Sequence, residues 1–340
     1  MACFNGRTCP TEIQVPPIVA KLGAVFNTLP DGELISELRG GKRRGRIGYD
    51  PRILWHCYVA YYVMALPSVS DLIRQLHNNP YIAEACGIYH VKSIPSQPTF
   101  SRFLKKLAHR DYRPLVNRVF QFLVRTLYDT LPNFGKSVAI DATDIKAWSN
   151  GGHKKPTDKD AGWIIKTGTN GRGKFTWGYK LSILVDTVYE MPMAWKVTAG
   201  NVHDLKWAPA LLSQSRWING KFHPQYIIAD SAYSSEKFRQ HVRRQYRSET
   251  IIKPNAAHKR AVKAYPETPE WQHIYNRRTS VERVFSRLKG QRRLNYVRAR
   301  GIRKVSIHCL LSMITLMAQA LTKVTPRQMK RLSEVCQPSS

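Results

Sequence analysis

Apolar residues between positions 51 and 130 recur at helical spacing, with apolar-rich runs at 53–66 and 115–127 and no period-two alternation. That pattern predicts an all-helical domain over 51–131, behind an N-terminal arm of residues 1–50. Beyond residue 132 the pattern changes. Short β-rich runs at 137–146, 179–186, 193–199, 225–230 and 250–254 are separated by helical stretches at 204–212 and 235–244. Three early strands followed by alternating helix and strand predict an α/β domain over 132–325, a mixed sheet with flanking helices, and leave 326–340 as a tail. Residues 150–174 are rich in Gly, Lys and Asp without an apolar period and read as one long loop. The most apolar segment, 305–321, is interrupted by Ser306, His308, Ser312 and Gln319, which argues for a core helix rather than a membrane span.

One helix stands out near the end of the chain. At about 100° per residue, Arg278, Glu282 and Lys289 fall within roughly 40° of each other, with Tyr275 beside them. Val281, Val284, Phe285 and Leu288 form a neighbouring apolar face, so this helix can dock on a core while aiming a lone carboxylate and its basic companions outward. In isolation, a solvated row of ion pairs would be the better explanation of those charges.

Charge narrows the partner. A formal charge of +31 and a sequence pI near 10.2 point to a polyanion, DNA or RNA. The charge is concentrated: residues 277–304 hold eleven Lys or Arg and a single acid, Glu282. Binding of that kind weakens steeply with salt, through counterion release. In the helical half, segments 68–76 and 97–107 flank a Pro- and Ser-marked connection, and the second opens with Ser96, Thr99, Ser101 and Arg102. Either a helix-turn-helix or a plain bundle with a helix capped at Ser96 fits that pattern. The six cysteines, Cys3, Cys9, Cys57, Cys86, Cys309 and Cys336, have neither Cys-x-x-Cys nor zinc-finger spacing and read as reduced thiols. No apolar leader is present in residues 1–17, so a soluble, cytoplasmic, nucleoid-associated protein is expected.

Two strand runs end on an acid, Val138-Ala-Ile-Asp141 and Tyr226-Ile-Ile-Ala-Asp230. Together with Glu282 they make a set of three carboxylates drawn from two strand ends and one helix. Such oxygen ligands suit Mg²⁺ or Mn²⁺, and two such ions support phosphoryl transfer. Each acid alone has a plain alternative as a strand-end cap or ion-pair partner. Asp144 reads as a surface or turn residue, Asp204 as a helix N-cap and Asp186 as the start of the turn to Met191. His153 and His203 lack ligand partners and stay outside the metal set. Trp148, Trp163 and Trp177, around the long loop, either stack on an unpaired base or anchor the loop.

Tyr275-x-x-Arg278-x-x-x-Glu282-x-x-x-x-x-x-Lys289 matches at every stated position the Y-x(2)-R-x(3)-E-x(6)-K signature of DDE-type insertion-sequence transposases. Asp141-Ala-Thr-Asp144, Gly200-Asn-Val-His-Asp204 and Asp230-Ser-Ala-Tyr233 resemble further motifs of that family. The resemblance spans roughly residues 50–320. It implies a ribonuclease-H-like catalytic domain behind an N-terminal helical DNA-binding domain, with Asp141, Asp230 and Glu282 as catalytic metal ligands for two Mg²⁺ or Mn²⁺ ions. Arg278 and Lys289 would hold phosphates and Tyr275 the DNA backbone, with Arg283, Arg292 and Arg293 of the same basic segment also counted as DNA-binding. Only 52 residues separate Asp230 from Glu282, so the chain resembles the compact branch without a large insertion there. The expected function is binding of terminal inverted repeats, metal-dependent strand cleavage and strand transfer, by a homodimer possibly assembled only on DNA. A nuclease without strand transfer and a non-catalytic DNA-binding derivative are the alternatives.

Overall fold

The computed structural model describes residues 15–40, 48–152, 156–167, 173–254 and 268–324. Cys3, Cys9, His153, Cys336, the tail 326–340 and much of the arm lie outside the described residues. The helical half comprises α1 (Pro17–Thr28), α2 (Gly32–Arg39), α3 (Pro51–Val63), α4 (Val69–Asn78), α5 (Pro80–Ala85), α6 (Gln97–Leu107) and α7 (Arg113–Thr130). Ends are set locally. Pro lies in the first turn of α3 and α5, where its missing N–H costs nothing, and Ser68 caps α4 by accepting from the Asp71 N–H at 3.1 Å. Between α4 and α6 lie α5 and a single 3₁₀ turn at Val91–Ser93, so the three- or four-residue connection of a helix-turn-helix is not the link here. α6 does begin at Ser96, but the Ser96 hydroxyl bonds that of Thr99 at 3.1 Å instead of capping the backbone.

The second half follows as β1 (Ser137–Lys146), β2 (Gly162–Thr167), β3 (Gly173–Asp186), β4 (Pro192–Ala199), α8 (Ala208–Ile218), β5 (Tyr226–Ala229), α9 (Glu236–Tyr246), β6 (Glu249–Ile252), α10 (Pro269–Asn276), α11 (Thr279–Gln291) and α12 (Ile302–Leu321). The sheet order is β2-β3-β1-β5-β6, with β4 also on β3. β1 runs antiparallel to β3 and parallel to β5, and β5 runs parallel to β6, the mixed sheet that the sequence pattern predicts. β3 is long enough to hold β1 along one edge and β2 then β4 along the other. At the changeover the backbones crowd: a Cβ on Gly178 would lie 2.1 Å from the Ile145 carbonyl oxygen, so only glycine fits.

Two expectations need correction. Residues 150–174 are not one loop, since they contain β2 and the start of β3. Ile165 and Phe175 point apolar side chains at solvent, 67% and 62% exposed, and so erase the alternation that normally marks a strand. The helix expected over 275–289 is two helices. Tyr275 lies in the last turn of α10, and Arg277 and Arg278 form the junction, held by 3₁₀-type bonds from the Arg278 N–H to the Tyr275 carbonyl and from the Val281 N–H to the Arg278 carbonyl.

α11 docks on β1 and β3 through buried Val281, Val284, Phe285 and Leu288. On one flank of that apolar stripe stand Arg278, Glu282 and Lys289. On the other, Arg283 and Arg287 both pair with Glu190 in the β3–β4 turn, whose side chain is 8% exposed. Glu190 takes the left-handed φ of +55°, held there by a turn in which the buried Asp186 carboxylate accepts from the Tyr189, Gly135 and Val188 N–H groups. This clamp sets the roll of α11 on the sheet.

α12 is the one helix among the described residues long and apolar enough to cross a membrane, and it is buried in the core, against α1, α3, α6, α7 and β4. The polar residues that interrupt its sequence are satisfied there. His308 Nδ1 accepts from the Tyr62 hydroxyl at 2.7 Å while its Nε2 donates to the Arg293 carbonyl at 2.9 Å. Ser312 donates to the Arg292 carbonyl at 2.8 Å, and Gln319 accepts from the Arg292 guanidinium.

Burial pushes His308 down from 6.5 to about 4. Between those values the unfolded chain binds the extra proton, so this contribution to stability is present at neutral pH and lost as pH falls through that window. Urea unfolding should show on the order of 3 kcal/mol lost through His308 between pH 7 and pH 4. His308→Gln should flatten that slope, leaving the part due to His56, which burial also pushes to about 4, set against Asp141 and Asp186, whose carboxyls burial raises to about 6 and which stabilise as pH falls. Equal slopes in the two proteins would refute the assignment. Glu190→Gln should cost about 3 kcal/mol in the same assay at neutral pH, because it leaves the inward-facing Arg287 without its counter-charge.

Candidate active site

The paired strands bring two of the predicted acids together. β1 and β5 are parallel and in register up to Ile140 opposite Ala229, so Asp141 and Asp230 are the next residues on neighbouring strands, which lie about 4.8 Å apart. Both sit where hydrophobic strand backbone gives way to the site. Asp141 is half-buried and its Oδ1 accepts from the Ala142 N–H at 2.8 Å. Asp230 directly follows β5 and accepts from the Ala232 N–H at 3.0 Å, capping the short 3₁₀ turn Ser231–Tyr233. Burial pushes the Asp141 carboxyl up to about 6, with the charges of Asp230 and Asp204 adding to it and Arg278 opposing.

Glu282 arrives from α11. Its side chain is 51% exposed and pairs with Arg278 at 2.7 Å. Arg278 therefore stands between the acids, bonded to Glu282 and within electrostatic reach of Asp141. As the side chains rest, no three His, Cys, Asp or Glu among the described residues are grouped closely enough to hold a metal ion. Asp141 and Asp230 lie side by side, while Glu282 is engaged by Arg278.

The remaining predicted residues divide. Tyr275 stacks on Trp271 with ring centroids 5.1 Å apart, with Lys253 Nζ 5.0 Å and the Arg278 guanidinium 6.0 Å from its ring. Lys289 is half-buried near Asp144 and Lys166; burial lowers its pKa, with Lys166 acting the same way and Asp144 opposing. Asp144 pairs with Lys166 at 2.5 Å. Arg283 is engaged by Glu190, and Arg293 donates to the Pro67 carbonyl at 3.2 Å and covers the Tyr296 ring at 3.8 Å. Arg292 is a correction: it is 1% exposed and bonded to Gln319 and the Gln291 carbonyl, so it is a core residue and cannot reach DNA.

Three further residues belong to the site. Asp204 is not a helix N-cap; that place is held by His203, whose Nδ1 accepts from the Leu205 N–H at 3.3 Å, while Asp204 pairs with Lys180 of β3 at 3.1 Å. A lysine inside the apolar run 179–186 was the signal for this pair. Tyr233, the last residue of Asp230-Ser-Ala-Tyr233, is 1% exposed, and its hydroxyl has no hydrogen-bond partner among the described residues. Burial and the charges of Asp141, Asp204 and Asp230 hold that hydroxyl firmly protonated.

A family model described as Transposase DDE domain matches residues 132–318, and one described as Transposase domain (DUF772) matches residues 15–106. No curated protein matches the chain. Among solved structures, a piggyBac transposase synaptic complex with hairpin DNA is loosely similar, with TM-score 0.47 and 11% identity over 97% of this chain and 82% of that one. The DDE model alone spans more than half of the sequence and takes in every acid of the site. The chain belongs to the DDE transposases, enzymes with a ribonuclease-H-like fold that cut and transfer DNA strands with divalent metal ions.

Proposed function

We propose that Asp141, Asp230 and Glu282 are the catalytic acids and together hold two Mg²⁺ or Mn²⁺ ions, at which the ends of a mobile element are cut and joined to target DNA. The observation that carries this reading is the in-register pair Asp141 and Asp230, with Glu282 of the clamped helix α11 held by Arg278, whose charge also acts on Asp141. Bound there, the ions supply Lewis-acid stabilisation of charge on the phosphoryl oxygens. The chain's own residues do the rest. An arriving phosphate competes with Glu282 for the Arg278 guanidinium, so substrate binding frees Glu282 to turn toward the two aspartates. Lys289, its ammonium partly desolvated, and Tyr275, braced by Trp271, hold the backbone on either side.

The helical half offers a second contact. A groove of about 860 Å³ between α3, the 3₁₀ turn and α6 is lined by Lys92, Ser93, Thr99, Arg102 and Lys106. It suits phosphates of the terminal inverted repeat. Two element ends must be held together, so the active species is a homodimer assembled on DNA, working at the nucleoid in the cytoplasm.

The test is end cleavage and strand transfer on a fragment carrying the element's own termini, with Mg²⁺. Asp141→Asn, Asp230→Asn and Glu282→Gln should each lose roughly a hundredfold or more in rate with DNA affinity retained. Normal cutting by any of the three would remove that residue from the mechanism. Binding should fall steeply with salt, and Arg102→Ala should reduce the slope of log K against log salt by about 1. A slope unchanged by the substitution would take the groove out of the interface.

A further inference from the structure

Strand β2 is an edge strand, and among the described residues it pairs only with β3. Its register sets Trp163 opposite Trp177 and Ile165 opposite Phe175, so these four side chains share one face while Ile164, 2% exposed, turns to the core. The outward face of a half-buried strand is ordinarily polar. Here Trp163, Ile165 and Phe175 are 42%, 67% and 62% exposed, and Trp148, just beyond β1, is 55% exposed. Trp163 meets Trp177 edge-on at 5.3 Å, and the Arg298 guanidinium lies 5.5 Å from the Trp148 ring centroid.

The charges around this face favour one occupant. Asp158 accepts from the Tyr179 hydroxyl and the Gly301 N–H, Asp160 accepts from the Ile302 N–H, and Asp144 pairs with Lys166. The neighbouring acids are thus engaged, while Lys159 and Arg298 in the adjoining segments are exposed. Open aromatic rings beside cations are the chemistry of single-stranded nucleic acid binding, in which bases stack and the backbone follows the positive charge. A second copy of the chain on the same face would set its cations against their own kind. The ribbon also reaches the site, since Lys166 bonds Asp144, three residues beyond Asp141 on β1.

We propose that the β2–β3 ribbon and Trp148 form a stacking platform for unpaired bases of single-stranded DNA next to the cut. This rests on the chain being a DNA-cutting enzyme, and the test separates the two. Full-length protein is titrated, without metal, against a labelled oligothymidylate of roughly 20 nucleotides and against a duplex of the same length. The Trp163→Ala/Phe175→Ala variant should lose on the order of tenfold or more in oligothymidylate affinity for each ring removed and stay within about twofold on the duplex. Trp163→Phe/Phe175→Tyr should retain both affinities. Phe175→Ala alone, which leaves the Trp163–Trp177 contact intact, guards against a folding defect, and it should lose on the order of tenfold. Unchanged oligothymidylate binding, or equal loss on both ligands, overturns the proposal. So does a switch from dimer to monomer in sedimentation with oligothymidylate binding intact, which would make the face a contact between copies. Metal-dependent cutting of element ends by the wild-type protein is read in parallel. Failure to cut, with selective loss of oligothymidylate in the variants, removes the assigned reaction and keeps the platform. Normal cutting with unchanged oligothymidylate binding removes the platform alone.

Discussion

The one-for-one parallel pairing of β1 with β5 is the constraint on which the site depends. It forces Asp141 and Asp230 into adjacent positions in the middle of a hydrophobic sheet, where burial, with the charge of Asp230 adding to it, opposes ionisation of Asp141. Everything else near them reads as a response to that arrangement. Arg278 stands between Asp141 and Glu282, and Lys180 takes up the charge of Asp204. A slip of one residue between the two strands would turn one aspartate to the opposite face and dissolve the pair.

The third acid is positioned by different physics. Glu282 rides on a helix whose apolar stripe fixes its depth on the sheet but, being nonspecific, does little to fix its rotation. The doubly paired Glu190 supplies the rotational stop, on the flank away from the site. Two arginines from one helix turn converge on one buried carboxylate, so sliding or rolling α11 would strand charge in a poorly hydrated place. The site is therefore soft in one respect only: Glu282 is half-exposed and free to exchange partners, while its backbone is held.

How much of this was legible in the chain varies with the range of the interaction. β1 was visible from residues 137–146 because its strand pattern is local, and the two strand-end acids followed from it. The signature residues were legible as a set, although the break between α10 and α11 was not, since no Pro or Gly marks it. β2 was hidden because its outer face carries Trp163 and Ile165 where polar residues usually stand. Arg292 looked like one more cation in a basic run, because its partner Gln319 lies 27 residues further on, in a different and mostly apolar helix. The partner of Arg283 lies 93 residues away in a turn, beyond any local pattern. Sequence periodicity reports what a segment buries, not which distant group compensates a buried charge.

The two family models meet this chain at separate stretches, yet α12, from the far end of the catalytic half, packs against α1, α3 and α7 of the helical half. Tyr62 and His308 join the halves through one buried hydrogen bond. A consequence concerns inheritance. An exchange of N-terminal halves between related elements would mismatch a jointly filled interior, so target recognition in this lineage is expected to diversify by point substitution on the surface, not by swapping cassettes.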